Sequence, residues 1–261
     1  MATHRTGAGE PSRTLALLWR DQRTADGGAA TARRGPGRSR SVDDVVDAAV
    51  DLADRKGLDA VSMRALGAAV GISTMSVYTY VAGKAELVDL MVDRLYLGMP
   101  RPRWRSRSWR RRAATVAEDN RSLLEGHPWL TEVAALSRPP LGPGLMAKYE
   151  HELAAFDGTG LTDVEVDAAL SHLLGFVHGH LRARHDAMRA TTDSAMSDAQ
   201  WWEANRQVLE RALDPTAFPR AARIGAAAGE AQGSAWNPDA AWEFGLARTL
   251  DGLAALVDRR R

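Results

Sequence analysis

A glycine between two short segments with helical apolar spacing, at residue 71, restricts the fold of this chain more than any other feature. Ser62 precedes one segment and Ser73 precedes the other, and serine is a preferred helix N-cap. Glycine readily adopts the positive φ that a sharp turn between two helices requires. The apolar side chains expected to pack the two helices together are Leu66, Val70, Ile72 and Val77. The sequence therefore predicts a helix-turn-helix over residues 62–81.

The rest of the chain also has helical periodicity, and the predicted fold class is all-α. Ser41 caps a first helix that ends at Gly57, and residues 85–97 form the fourth helix. The further helices are predicted over 109–125, 128–137, 143–157, 162–185, 198–213 and 237–258. The segments 186–197 and 214–236 are rich in Ala, Gly, Thr and Ser, and we interpret them as mobile loops.

The segment after the Gly71 turn carries a recognisable motif. The residues that form it are Tyr78, Tyr80 and Val81 at the end of a short helix, followed by Ala82, Gly83, Lys84 and Leu87. With the helices before it, the stretch 41–90 closely resembles the DNA-binding domain of the tetracycline-repressor family. The remainder resembles the C-terminal domain of tetracycline-repressor type more loosely. The features it shares are helix lengths and the pattern Leu170, Ser171, Phe176 and Gly179.

The predicted organisation has three parts: a flexible basic arm (1–40), a helix-turn-helix DNA-binding domain (41–88), and a helical ligand-binding and dimerisation domain (89–261). The resemblance implies a cytoplasmic, ligand-responsive transcriptional repressor. It would be a homodimer that a small, largely apolar effector releases from palindromic double-stranded operator DNA. Two alternatives stay open. One is an activator or ligand-independent DNA-binding protein of the same fold, and the other is a small-molecule binding protein without DNA function.

The resemblance also assigns residues to DNA. The recognition-helix side chains opposite Val77 would face base edges in the major groove, and they are Thr74, Met75, Ser76 and Thr79. The side chains that would hold phosphates are Arg64, Tyr78, Tyr80 and Lys84. We interpret Ser62 as a helix cap first and a DNA contact second. For Tyr80, packing under the recognition helix is an equally good interpretation.

Positive charge is concentrated before the first helix, although the net charge of the chain is only +1. Residues 5–40 contain eight Arg and three acids. Such a cluster suits a polyanion, because each phosphate that it neutralises releases counterions. The arginines expected to reach the adjacent minor groove are Arg33, Arg34, Arg38 and Arg40. The alternative is a solvated tail. We interpret the seven Arg of residues 101–112 as part of a linker and helix start.

Two predicted helices, 162–185 and 237–258, have apolar stripes suited to burial. The first also has a stripe of small residues, namely Ala168, Ser171, Gly175 and Gly179. Because a palindromic operator needs two recognition helices, we expect these helices to form a four-helix dimer interface, as the resemblance implies. The alternative is an ordinary bundle core within one subunit.

Six residues are candidates for lining an effector pocket: Trp104, Trp109, His127, Trp129, Phe176 and His178. In tetracycline-binding relatives a His of the long interface helix helps to hold magnesium. The matching place here has Gly175, so tetracycline–metal recognition is not expected. The chain has no Cys, and no two His have the i, i+4 spacing of a zinc-binding helix. No cofactor, metal site, catalytic residue or membrane segment is expected.

Overall fold

The computed structural model describes residues 5–21 and 40–260, and the regular structure within those ranges is helical. The helices are α1 (Pro11–Leu18), α2 (Val42–Lys56), α3 (Met63–Val70), α4 (Thr74–Val77), α5 (Lys84–Gly98), α6 (Trp109–Gly126), α7 (Leu130–Val133), α8 (Pro143–Leu153), α9 (Asp163–Ser194), α10 (Asp198–Ala212), α11 (Pro219–Gln232) and α12 (Pro238–Asp258). Single 3₁₀ turns cover Leu58–Ala60 and Ala154–Phe156. None of these helices is long and apolar enough to cross a membrane. The all-α prediction is confirmed.

Helix α2 begins and ends at residues that suit its termini. The Ser41 hydroxyl accepts a hydrogen bond from the Asp44 backbone N–H at 3.0 Å, and the Asp44 carboxylate accepts one from the Ser41 N–H at 2.8 Å. This reciprocal pair is a capping box. The helix ends at Gly57, whose φ of +79° lies in a region that side chains avoid. Its inner face, with Val45 and Ala49 completely buried, lies at the centre of the N-terminal domain.

The turn between α3 and α4 has the geometry expected from its glycine. Gly71 has φ +73° and ψ +36°, the left-handed conformation. Gly67 allows a close approach, because a Cβ there would come within 2.8 Å of the Ile72 carbonyl oxygen. Leu66 and Val77 are completely buried in the same core as α2. A helix as short as α4 is not stable alone, so this packing holds it in place. The predicted helix-turn-helix is confirmed.

Helix α5 joins the two domains, and the predicted domain boundary falls inside it. It is buried along most of its length, and three of its buried residues are carboxylates, Glu86, Asp89 and Asp93. Asp89 accepts a hydrogen bond from the Gly7 backbone N–H at 2.8 Å. Asp93 accepts hydrogen bonds from the backbone N–H groups of Gly144 and Leu145, at 3.1 and 2.8 Å. The connecting helix therefore positions both the N-terminal segment and the start of α8.

Helices α6, α7, α9 and α12 supply most of the buried apolar side chains of the C-terminal domain. The predicted apolar stripe of α9 is buried at Leu170, Leu173, Val177 and Leu181. Arg112 on α6 is buried too, and its guanidinium donates to the carbonyl oxygens of Ala155 (2.9 Å), Ser106 (3.0 Å), Arg107 (3.1 Å) and Asp157 (2.5 Å). One arginine of the 101–112 cluster is thus a structural residue that joins three chain segments.

Both segments that we interpreted as mobile loops are helical over most of their length, so that prediction was wrong. Helix α9 continues to Ser194, and α11 occupies Pro219–Gln232. Alanine has the highest helix propensity, and an Ala-rich stretch becomes a helix when a Pro in its first turn and a Gly after its last define the ends. The opposite difference occurs at 128–137, where a helix was predicted. Only the short helix α7 forms there, and residues 134–142 have no regular structure.

The predicted flexible arm is folded over part of its length, which corrects the sequence prediction for residues 1–40. Within residues 5–21, α1 packs on α5 and Leu18 is only 5% exposed. The Glu10 carboxylate caps α1 by accepting hydrogen bonds from two backbone N–H groups, and Pro11 occupies the first turn. These start signals are local and present in the sequence, but the many Gly and Arg residues around them suggested a tail.

The buried carboxylate of Asp89 predicts a pH dependence of stability. Burial, with Glu86 and Asp93 nearby, raises the pKa of Asp89 to about 6. In the unfolded chain an Asp ionises near pH 4, so stability falls as pH rises from about 4 to 6, where only the folded state keeps the proton. The variant Asp89→Asn keeps an oxygen acceptor for Gly7 and cannot ionise. Above pH 6 we expect its free energy of unfolding to exceed that of the parent by up to about 3 kcal/mol.

Urea unfolding of parent and variant between pH 4 and 8 measures this difference. Asp51→Asn, which changes an exposed carboxylate on α2, is the matched control and should leave the pH profile unchanged. Parallel profiles for parent and Asp89→Asn would contradict the assignment.

Candidate DNA-binding surface and ligand cavity

The recognition helix α4 and the turn after it present an outward face. Met75 is 75% exposed and Tyr78 is 45% exposed. Thr74 and Thr79 are exposed as well, whereas Val77 on the opposite side is completely buried. The structure brings these side chains to one surface, in the arrangement that the sequence predicted. Their contacts with base edges stay a prediction.

The hydroxyl groups of this surface are partly engaged in local hydrogen bonds. The Ser73 hydroxyl accepts from the Ser76 backbone N–H at 3.1 Å and lies 2.9 Å from the Ser76 hydroxyl. Thr79 Oγ1 donates to the Ser76 carbonyl oxygen at 2.7 Å. Ser62 accepts from the Ala65 backbone N–H at 3.2 Å, which confirms its role as a cap. A hydroxyl oxygen has two lone pairs, so Ser76 and Thr79 can still accept a hydrogen bond from a base amino group.

The four side chains predicted to hold phosphates have different surroundings. Arg64 and Tyr78 are exposed. Tyr80 is half-buried and packs against the core, which favours the alternative interpretation of this residue. The Lys84 ammonium donates to the Leu58 carbonyl oxygen at 3.1 Å and so joins the start of α5 to the turn after α2. This hydrogen bond uses one of three N–H donors, and it gives Lys84 a structural role that the sequence did not suggest.

The described residues include one of the four arm arginines. Arg33, Arg34 and Arg38 lie outside the described residues. Arg40 is exposed, and its guanidinium lies beside the helix-turn-helix turn, 3.8 Å from the position that a Cβ on Gly71 would occupy. Positive charge therefore lies next to the surface that the resemblance assigns to DNA.

The structure does not bring together the six residues predicted to line one pocket, and that prediction was wrong. They lie in separate places: Trp104 against His151, Trp109 against Phe156, Phe176 against Trp242, His127 and Trp129 beside Asp54, and His178 at a cavity. Large aromatic side chains occur in cores as well as in pockets. Residue type alone therefore could not separate the two environments.

A cavity of about 290 Å³ lies among α5, α8, α9 and the segment 134–142. Its main apolar lining consists of Leu136, Leu141, Leu145, Met146, Leu170 and Leu174. The polar and charged groups on its wall belong to Tyr96, Lys148, Glu152, Ser171 and His178, and to the hydrogen-bonded pair Tyr149 and Asp167. The volume is near the lower end of the range for small-molecule sites, and a mostly apolar wall with a few polar groups is typical of them.

The two buried charges at this cavity are paired with each other. The Lys148 ammonium lies 2.6 Å from Glu152 Oε2, and Asn120 Nδ2 donates to Glu152 Oε1 at 2.6 Å. The pair therefore adds polarity to the wall without a net charge. Sequence reasoning missed it, although the i, i+4 spacing was visible, because such pairs usually lie on the solvated face of a helix.

His178 is the polar residue best placed to contact a ligand. Burial, with the positive charge of Lys148 nearby, lowers the pKa of His178 to about 4, so the imidazole is neutral at pH 7. It makes no hydrogen bond with any described residue. A neutral imidazole has one donor and one acceptor nitrogen. His178 can therefore pair with a hydroxyl or a carbonyl group of a ligand.

Two of the residues predicted for the pocket join the domains instead. Asp54 of α2 accepts a hydrogen bond from Trp129 Nε1 at 2.7 Å, and the same carboxylate oxygen lies 2.8 Å from His127 Nδ1. A second contact between domain elements is the two-bond ion pair of Arg94 on α5 with Asp47 on α2, at 2.8 and 3.1 Å. Helix α2 is thus tied to the elements that follow it in the chain.

The small-residue stripe of α9 faces away from the core of its own subunit. Its residues Ala168, Ser171, Gly175 and Gly179 are exposed. A Cβ added at either glycine would meet nothing within 4 Å. The alternative of a bundle core within one subunit is therefore wrong for this stripe. On α12, Phe244 is 67% exposed, so both helices leave uncovered apolar or small side chains.

Comparison with known proteins agrees with this arrangement. The family described as "Bacterial regulatory proteins, tetR family" matches residues 45–91, and the family "Tetracyclin repressor-like, C-terminal domain" matches residues 101–257. The HTH-type transcriptional repressor DrrR1 of Streptomyces coeruleorubidus is 37% identical over 262 residues, which cover 100% of this chain and 92% of that protein. An HTH-type transcriptional regulator of Saccharopolyspora erythraea is 32% identical over 160 residues, covering 60% of this chain and 67% of that protein.

Solved structures with this fold include ligand complexes. The TetR family protein ActR of Streptomyces coelicolor, in complex with actinorhodin, has a TM-score of 0.70 and 25% identity, covering 84% of this chain and 97% of that one. The same protein in complex with (S)-DNPA has a TM-score of 0.66 and 25% identity, covering 83% of this chain and 98% of that one. The two family matches and the full-length relative show that this chain belongs to the tetR family of bacterial regulatory proteins.

Proposed function

We propose that this chain is a transcriptional repressor that binds a palindromic operator as a homodimer and is released by a small, largely apolar effector. The observation that carries the proposal is the position of α5. This helix starts beside the helix-turn-helix, where Lys84 is bound to the turn after α2, and near its other end Tyr96 lines the cavity. A ligand in the cavity and DNA at α4 therefore act on one rigid element. The cytoplasm is the compartment that this function requires.

On the DNA side, α4 enters the major groove with its exposed face. Met75 can contact a thymine methyl group, and the hydroxyls of Ser76 and Thr79 can contact base edges. Exposed Arg64 and Tyr78 reach phosphates on either side. Two recognition helices must lie about 34 Å apart to read successive turns of one face of DNA. The exposed small-residue stripe of α9 and the exposed Phe244 of α12 supply the surface on which two subunits pair.

On the effector side, the cavity favours a small, largely apolar and uncharged molecule with a few hydroxyl or carbonyl groups. Its wall is mostly apolar, its two buried charges, Lys148 and Glu152, are paired with each other, and His178, which makes no hydrogen bond with the described residues, is neutral. The similar protein ActR has been crystallised with actinorhodin, which supports an effector of that kind here. Such a ligand releases DNA when it binds more tightly to the arrangement of subunits in which the two recognition helices are wrongly spaced for the operator. The loss of operator affinity cannot exceed the difference between the ligand's affinities for the two arrangements.

The DNA assignment predicts two kinds of mutational effect. Thr79→Ala should change sequence preference by about 1 kcal/mol at the base pair that Thr79 contacts. Arg64→Ala should weaken binding to all sequences and reduce the slope of log K against log salt concentration by about 1. Fluorescence anisotropy with duplexes from the region upstream of the protein's own reading frame, at several salt concentrations, measures both. Arg107→Ala, an exposed arginine of the C-terminal domain, is the control. Equal and sequence-blind losses for Thr79→Ala and Arg64→Ala would sink the assignment to base edges.

The effector assignment is tested with actinorhodin as the probe. We expect it to lower operator affinity, and we expect His178→Leu to weaken its binding about tenfold, because one hydrogen bond in a buried site is lost. The same change at exposed His172 on α9 should have no effect. Actinorhodin that binds without changing DNA affinity would favour a ligand-independent DNA-binding protein. Ligand binding with no salt-dependent DNA binding would favour a small-molecule binding protein.

The dimer assignment predicts a loss of association in Gly179→Leu. A side chain at this position has open space around it within one subunit, so the fold of the subunit should survive. Close approach of two α9 helices across a two-fold axis would be blocked. Sedimentation velocity should then show monomer, and operator binding should be lost. Gly225→Leu, at an equally open glycine of α11, should remain dimeric. A dimeric Gly179→Leu that binds DNA normally would place the interface elsewhere.

A further inference from the structure

Residues 5–21, which we call the N-terminal strap, run over the outside of both domains. At the strap's start, Thr6 makes three hydrogen bonds to the end of α7 and the residues after it, one of them from its hydroxyl to the Val133 carbonyl oxygen at 3.3 Å. Its backbone N–H donates to the Val133 carbonyl oxygen at 3.0 Å, and its hydroxyl accepts from the Ala135 N–H at 3.0 Å. The next residue, Gly7, donates to the buried Asp89 carboxylate of α5. The strap is therefore anchored at the segment 134–142 and at the connecting helix.

The end of the strap has two further anchors in different parts of the molecule. Trp19 Nε1 donates to the Leu141 carbonyl oxygen at 2.7 Å, and Leu141 lines the cavity. The guanidinium of the adjacent Arg20 makes an ion pair with Asp43 in the first turn of α2. Neighbouring residues of one short segment thus hold the cavity wall and the first helix of the DNA-binding domain.

The strap is well suited to transmit a displacement. Helix α1 within it has its own cap at Glu10 and packs on α5, and the Leu18 side chain is buried in the core. Beyond the DNA-binding domain, the other hydrogen bonds that reach α2 come from Arg94 of α5 and from His127 and Trp129, and so from outside the segment 134–142. Two adjacent residues, Trp19 and Arg20, therefore form a short route from that segment to α2.

We propose that the N-terminal strap mechanically couples the cavity wall to the DNA-binding domain. The hydrogen bond of Trp19 makes the strap move with residues 134–142, and the ion pair of Arg20 makes α2 move with the strap. The use of this coupling in DNA release rests on the proposed function. The coupling itself is a property of the free protein and is measured without DNA or effector. An experiment that finds no coupling therefore leaves the proposed function untouched, and a protein that does not bind DNA can still show the coupling.

Hydrogen exchange of the full chain, read by mass spectrometry, tests the proposal. Trp19→Phe removes the indole N–H and keeps an aromatic ring. We expect it to raise exchange about two- to tenfold, the effect of one lost hydrogen bond, both in residues 134–142 and in the first turn of α2. Asp43→Asn and Arg20→Gln break the ion pair at the other end. They should raise exchange in residues 134–142, although no atom there is changed.

The matched control is Asp47→Asn, one helical turn after Asp43. It removes the ion pair between α2 and Arg94 but leaves every strap contact intact. It should increase exchange in α2 and α5 and leave residues 134–142 unchanged. Exchange in α10 should be the same in all variants, which separates coupling from a global loss of stability. The proposal is overturned if Asp43→Asn and Arg20→Gln affect only α2, or if Asp47→Asn loosens residues 134–142 equally.

Discussion

The burial of α5 is the constraint on which the other parts of the structure depend. Asp93 of this helix accepts two hydrogen bonds from the backbone at the start of α8, and the contact is tight. A Cβ at Gly142 would come within 2.5 Å of the Asp93 carboxylate, and a Cβ at Gly144 would come within 2.0 Å of the backbone carbonyl oxygen of Asp93. The glycines are therefore required for α8 to approach α5. Because α8 forms one wall of the cavity, the cavity and the connecting helix cannot move independently.

The buried carboxylates of α5 lower the stability of the fold but fix the position of this helix. Burial raises the pKa of Asp89 and Asp93, which means that each ionised carboxylate costs free energy in the folded state. The cost is reduced where backbone N–H groups point at the charge, and at Asp93 the N-terminal end of the α8 dipole adds to this. An apolar pair of helices would be more stable but could slide. The carboxylates fix one register of α5 against the strap and α8.

The features that could be predicted from the sequence are those with local causes. The N-caps Ser41, Ser62 and Ser73 and the turn at Gly71 act within a few residues, and the structure has each of them where it was expected. The composition of the cavity depends on which helices meet, so six aromatic and histidine residues chosen by type proved to lie in separate places. The strap had local start signals at Glu10 and Pro11. Its docking depends on Val133 and Leu141, more than 120 residues away in sequence, and no local pattern encodes that.

The recognition helix itself contributes little to its own position. It has four residues and one completely buried side chain, Val77, so it follows the core formed with α2 and α3. That core is in turn tied to α5 by Lys84 and Arg94, to α6 and α7 by Asp54, and to the strap by Asp43. A small rotation of the core about these contacts moves α4 as a rigid body. In the proposed dimer two such helices must match a fixed groove spacing, so a displacement too small to disturb either domain would suffice to change affinity for DNA.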